Sequence, residues 1–165
     1  MRTSFLFCAL LALSAAPGRA QSQTPAAMRE AARDVLAALD PAQRDRAMFP
    51  MDSDERTQFF FVPMPGERKG LPLKDMTADQ RRLVHGLLRS VMSHPGYTRA
   101  SGVLLLEQIL GVIENNPTYR DPELYYLSLF GHPDGDGPWG WRFEGHHLSL
   151  NFSTVSNEVA IAPAF

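Results

Sequence analysis

The residues best suited to chemistry fall in one stretch, GPWGWRFEGHHLSLNFS, residues 137–153. It sets Arg142, Glu144, His146, His147, Ser149 and Asn151 among tryptophans, phenylalanines and leucines. Side chains alternate between the two faces of a strand. Trp139, Trp141 and Phe143 share one parity, while Leu148, Leu150 and Phe152 share the other. One straight strand would split these two apolar sets. A tight turn at Gly145-His146 reunites them, since glycine suits the first central position of a type II′ hairpin. Glu144 then pairs with His147, Arg142 with Ser149, Trp141 with Leu150 and Gly140 with Asn151. One face is apolar, and the other gathers Arg142, Glu144, His147, Ser149 and Asn151. A bulge near Gly145 in one bent strand would sort the residues in the same way.

On that polar face Glu144 would orient or charge His147 as a general acid or base. Arg142 and Asn151 would hold an anionic or carbonyl group. Ser149, in mid-strand, lacks the strained elbow of a hydrolase nucleophile. A solvated or mutually paired sheet surface accounts for the same residues without any function. A metal reading takes His147 and Glu144 as ligands, with a third from His132, Asp134 or Asp136. Such a set suits zinc, iron or copper rather than calcium. It lacks a defined spacing such as H-E-x-x-H, and Asp134-Gly135-Asp136-Gly137 reads as a plain turn. Arg68, on the loop Glu67-Arg68-Lys69, and Arg120, in Tyr119-Arg120-Asp121-Pro122, are further ligand-binding candidates. The bland alternatives are a solvated loop for the first and a structural ion pair for the second. His85 and His94 read as solvent-facing.

These groups must be positioned by what precedes them. Thr24-Pro25 is a helix start, and Met28, Ala32, Val35, Leu36 and Leu39 follow at helical spacing. Asp40-Pro41 starts a second short helix to about Phe49. TQFFFVP, residues 57–63, reads as a short strand, and residues 64–76 as a loop with two prolines and two glycines. Thr77-Ala78-Asp79-Gln80 is a capping box for a helix over 78–92. SHPGYT breaks the chain at 93–98. Residues 99–114 are apolar nearly all round, which predicts a mostly buried helix. From Leu124 the chain turns strand-like: LYYLSLFG, the two runs of the hairpin, and VAIAPAF. Helices first and strands last predict an α+β domain, with N-terminal helices packed on a C-terminal antiparallel β-meander.

The first twenty residues, MRTSFLFCALLALSAAPGRA, carry an early arginine, an apolar run and small residues before Ala20. They read as a secretory signal cleaved after Ala20, leaving 21–165 as a single domain that is periplasmic or extracellular. The apolar run is too short for a stable membrane anchor. Cleavage would remove Cys8, the only cysteine, and with it any disulfide or thiolate chemistry. With 16 basic and 18 acidic residues, and Lys69 and Lys74 the only lysines, the chain has no basic stripe for nucleic acid.

Three motifs together, ERKGLPLKDMTADQRRLVHGLL, YRDPELYYLSLFG and GPWGWRFEGHHLSLNFS, resemble the bacterial domain-of-unknown-function family numbered 3500, over roughly residues 55–165. The resemblance implies an exported protein and a chain that continues further, so the domain is expected to be incomplete at its C-terminus. It implies no reaction, cofactor or catalytic residue. Two readings follow from the residues and a third from the resemblance. The first is a hydrolase-like or metal-assisted enzyme acting on a small molecule. The second is an exported binding module for a small anionic or carbohydrate ligand. The third is an inactive fragment.

Overall fold

The computed structural model describes residues 24–164 apart from 59, 61, 63–67, 156 and 157. The expected signal segment therefore lies outside the described residues. Among the described residues four α-helices precede most of the sheet: α1 (Pro25–Ala38), α2 (Pro41–Ala47), α3 (Ala78–Val91) and α4 (His94–Ile113). The strands are β1 (Met48–Phe49), β2 (Leu71–Pro72), β3 (Tyr126–Phe130), β4 (Trp139–Gly145), β5 (Leu148–Val155) and β6 (Glu158–Ala164). The chain is α+β, as expected. Strands β3 to β6 form the antiparallel meander. The short β1 and β2 share the outer edge of β3, β1 running parallel to it and β2 antiparallel.

The helix starts follow from local chemistry. The Thr24 side chain accepts from the Ala27 N–H, and Pro25 occupies a first-turn position that needs no amide hydrogen. Asp40 with Gln43, and Thr77 with Gln80, form complete capping boxes. The two boxes interlock. Gln80 Nε2 donates to Gln43 Oε1 at 2.7 Å and to the Ala38 carbonyl at 2.8 Å. The end of α1 and the starts of α2 and α3 are thereby tied at one point.

Alternation along the strands sorts the sheet into two faces. Leu127, Leu129, Trp139, Trp141, Phe143, Leu150 and Phe152 face the helices. They form one core with Met28, Ala32 and Val35 of α1 and with Val84, Leu87 and Leu88 of α3. Trp141 stacks on Phe152 at 4.3 Å between ring centroids. Each large side chain buried in this way contributes roughly 1.5–3 kcal/mol.

Three expectations are corrected. No strand forms at the described residues of 57–63; Asp54–Thr57 is a 3₁₀ turn capped by Ser53. The rest of that run lies partly outside the described residues. The prolyl break at 93–98 is instead the start of α4, because Ser93 caps it and Pro95 sits in its first turn. The helix expected to be mostly buried is also largely exposed. Leu105, Leu106, Ile109, Val112 and Ile113 face outward, Val112 at 80 % exposure. An apolar composition shows that a helix can be buried, not that the chain supplies enough elements to cover it.

Candidate functional site

The hairpin of β4 and β5 places the polar residues. Its register pairs Gly145 with Leu148, Glu144 with Ser149, Arg142 with Asn151 and Trp141 with Phe152. The turn is therefore at His146-His147, one residue beyond the expected position, and the pairing of Glu144 with His147 does not occur. The cause is Tyr125. A Cβ on Gly145 would lie 2.4 Å from the Tyr125 ring, so the glycine is needed within the strand for that close approach. The left-handed turn residue is His147, at φ 56°. His147 is exposed at the tip, away from the strand face on which Glu144 is buried.

The sheet face opposite the helices is not a solvated surface. Arg142 is 0 % and Glu144 1 % exposed, because the segment beginning at the 3₁₀ turn covers them. Arg142 Nη1 donates to the carbonyls of Glu55, at 2.8 Å, and of Gln58. Its Nη2 meets Glu55 Oε1 at 2.5 Å, and its Nε lies 3.3 Å from Glu144 Oε1. Arg68 reaches the same carboxylate from the loop, at 3.2 Å, and donates to the carbonyls of Phe60 and Val62. Arg68 is thus buried rather than solvated. Gly70, at φ +101°, turns the chain beside it and would place a Cβ 2.6 Å from Ser128 Oγ. Burial raises the Glu144 carboxyl above the usual range, while Arg142 and Arg68 pull it back in part. Ser149 Oγ donates to Glu144 at 3.4 Å, and Asn151 donates to Ser149 Oγ at 3.1 Å. Arg142, Glu144, Ser149 and Asn151 therefore share one face as the sequence suggested, and Arg68 joins them from the loop, which it did not suggest, in a closed interior network.

A second cluster stands at the hairpin tip. Glu107, 3 % exposed on α4, contacts His146 Nδ1. A carboxylate can only accept, so Nδ1 carries the hydrogen between them and Nε2 is the basic nitrogen of the neutral ring. Arg120 Nη1 lies 3.0 Å from Nδ1 and 3.4 Å from Nε2, the ring atom to which it can donate in this tautomer, and 3.9 Å from Glu107, and its fork grips Glu114 at 2.8 and 3.0 Å. The Tyr125 hydroxyl donates to the His146 carbonyl at 2.8 Å, and burial raises its pKa. Arg68, Glu107, Tyr119, Tyr125, Tyr126 and His146 line a recess of about 10 Å³. That is room for about one water.

Arg120 belongs to this tip cluster rather than to the face of Glu144. His132 sits elsewhere, in an exposed turn where its Nδ1 accepts from the Asp134 N–H at 3.2 Å. The suggested set of His147, Glu144 and His132 is not assembled, and among the described residues no three His, Cys, Asp or Glu side chains are placed to hold a metal ion. His85 is half-buried rather than solvated, with Tyr97 Oη 3.0 Å from its Nδ1.

Sequence reasoning missed Glu107, Glu55 and the part played by His146. A signal existed for one of them. Glu107 is the lone charge in VLLLEQILGVI, residues 103–113, and a carboxylate in such a helix needs either water or a partner. Glu55 gave none, because its partner is 87 residues away.

Residues 21–165 match the family model described as "Protein of unknown function (DUF3500)". No curated protein and no solved structure matches the chain. Among the described residues no helix is long and apolar enough to cross a membrane.

Proposed function

The chain belongs to the DUF3500 family, and we propose that it is an exported, hydrolase-like acid–base protein whose working group is His146 rather than His147. One observation carries the reading: the Glu107 carboxylate, withdrawn from water on an apolar helix, meets Nδ1 of His146. Such a partner fixes the tautomer, aims the ring and stabilises the imidazolium formed when Nε2 takes a proton. The adjacent recess has room for about one water, the co-reactant that hydrolysis consumes. His146 Nε2 takes a proton from that water as it attacks and returns it to the leaving group. Arg120, beside the ring, supplies positive charge for a developing oxyanion.

The test is turnover of carboxylic esters, phosphoesters and glycosides by the purified protein. His146→Asn and Glu107→Gln should each lower kcat by about 10²-fold or more, with His147→Ala near wild type. Turnover that survives His146→Asn, or no turnover in any of the three classes, would overturn the reading. A binding module is favoured by one feature. Tyr119 is 40 % exposed beside the recess, and Arg120 lies 5.2 Å over its ring, a platform on which a sugar face could stack. Saturable binding of an oligosaccharide, lost in Tyr119→Ala and unaccompanied by turnover, would support that alternative.

A further inference from the structure

A larger recess of about 320 Å³ lies between α3 and α4, at the lower end of the roughly 300–1,000 Å³ typical of small-molecule sites. It is separate in residues from the hairpin tip. Leu73, Leu104 and Leu105 form its apolar wall, and His85, Ser101 and Gln108 bring polar groups to it.

The protonation state of His85 follows from its neighbours. Arg89 Nη1 lies 3.0 Å from Tyr97 Oη, and a guanidinium has only hydrogens to give, so the phenol oxygen accepts there. Tyr97 Oη also lies 3.0 Å from His85 Nδ1. The arrangement that uses every hydrogen has the phenol donating to Nδ1. Desolvation and the Arg89 charge both lower the His85 pKa, so the ring is neutral. Its hydrogen then sits on Nε2, a donor with no hydrogen-bond partner among the described residues, on a residue that lines the recess. The formal charges at the rim are already engaged. Arg81 gives its hydrogens to Glu123 and to the carbonyls of Leu73 and Met76. An anion would meet Glu123 there, and a cation would meet Arg81.

We propose that this recess binds a small neutral ligand with a carbonyl acceptor and a short alkyl body. His85 Nε2–H donates to the carbonyl oxygen, Ser101 and Gln108 serve its other polar atoms, and the three leucines cover the alkyl group. The probe is N-methylpentanamide, titrated into the full chain and followed by amide NMR, with pentanoate and pentylamine as charged comparisons. Saturable shifts confined to α3 and α4 around the recess are expected, with the neutral amide bound most tightly. His85→Phe keeps a planar wall without the donor and should weaken binding about five- to tenfold, as the loss of one buried hydrogen bond does. Imidazole nitrogen shifts of the wild type should report the Nε2–H tautomer, and Tyr97→Phe should relax that preference. No saturable shifts at the recess, tighter binding of pentanoate or pentylamine, or an Nδ1–H tautomer would each overturn the proposal. Should His85→Phe fail to fold, Leu105→Arg, at an exposed wall position, must abolish binding for the proposal to stand.

Discussion

Arg142→Met is the sharpest test of the interior network. Methionine retains most of the aliphatic length of arginine and removes the guanidinium. The Glu55 carbonyl, bonded at 2.8 Å, and the Gln58 carbonyl then lose a donor. Glu55 keeps only the Lys69 ammonium at 3.8 Å. Glu144, 1 % exposed, keeps the Arg68 guanidinium at 3.2 Å and the Ser149 hydroxyl. Breaking a buried ion pair from one side costs about 3–5 kcal/mol. The orphaned carbonyls would add about 1 kcal/mol each if they stayed dry, but water entering the gap would offset part of this. We expect a loss of about 4 kcal/mol. At about 2–4 °C per kcal/mol for a domain of this size, Tm falls by roughly 8–16 °C. Urea unfolding followed by tryptophan emission is the assay, because Trp139 and Trp141 are fully buried on the other face of the same strand. Replacing the whole set, with Glu55→Met, Glu144→Leu and Arg68→Met added to Arg142→Met, should recover part of the loss, since an apolar cluster leaves no buried charge unpaired. A loss below about 1 kcal/mol for Arg142→Met alone would refute the claim that the network bears on stability.

Gly145→Ala drives a methyl into the Tyr125 ring, 2.4 Å from its Cδ1. It should cost about 1–3 kcal/mol in thermal melts and release the Tyr125 bond to the His146 carbonyl. Thr77→Ala removes the cap that accepts from the Gln80 N–H and should cost about 1 kcal/mol by urea titration. The His85 pKa is lowered from 6.5 in the folded chain, so the unfolded chain binds that proton more tightly. Its contribution is present above pH 6.5 and is lost as the pH falls from there toward the folded value. The acid limb of stability against pH should be shallower in His85→Phe than in wild type.

The helices were legible because their caps are local. Thr24, Asp40 and Thr77 each act within three residues. The two faces of the hairpin were legible even though its turn was misplaced. Moving the turn by one residue shifts every pair by two, and a shift of two returns each side chain to its own face. Two residues exchanged roles, Gly145 from turn to strand and His147 from strand to turn. The glycine that suggested a turn answers to Tyr125, twenty residues earlier in the chain, and no local pattern reveals such a contact. Arg68 was illegible for a related reason. Prolines and glycines mark its loop as irregular, but irregular backbone can still lie across a sheet, and here it carries a guanidinium to Glu144.

The two clusters are therefore unlike in what they can do. Around Arg142 every charge has an opposite charge within 4 Å, which makes it a poor place for a substrate and a good clamp for β4. At the tip, His146 retains a basic nitrogen beside a recess, with its side chain 11 % exposed. Arg68 joins the two, gripping Glu144 in the interior while lining the recess. A group held by packing and by second contacts keeps its aim better than one on a free loop. On this account Arg68 is a positioning residue. Arg68→Lys keeps the charge but loses the planar fork, so it should lower kcat at unchanged pH profile, because the imidazole itself is untouched. His146→Asn should abolish the profile altogether. A pH profile displaced by Arg68→Lys would instead mean that Arg68 acts on the His146–Glu107 pair directly.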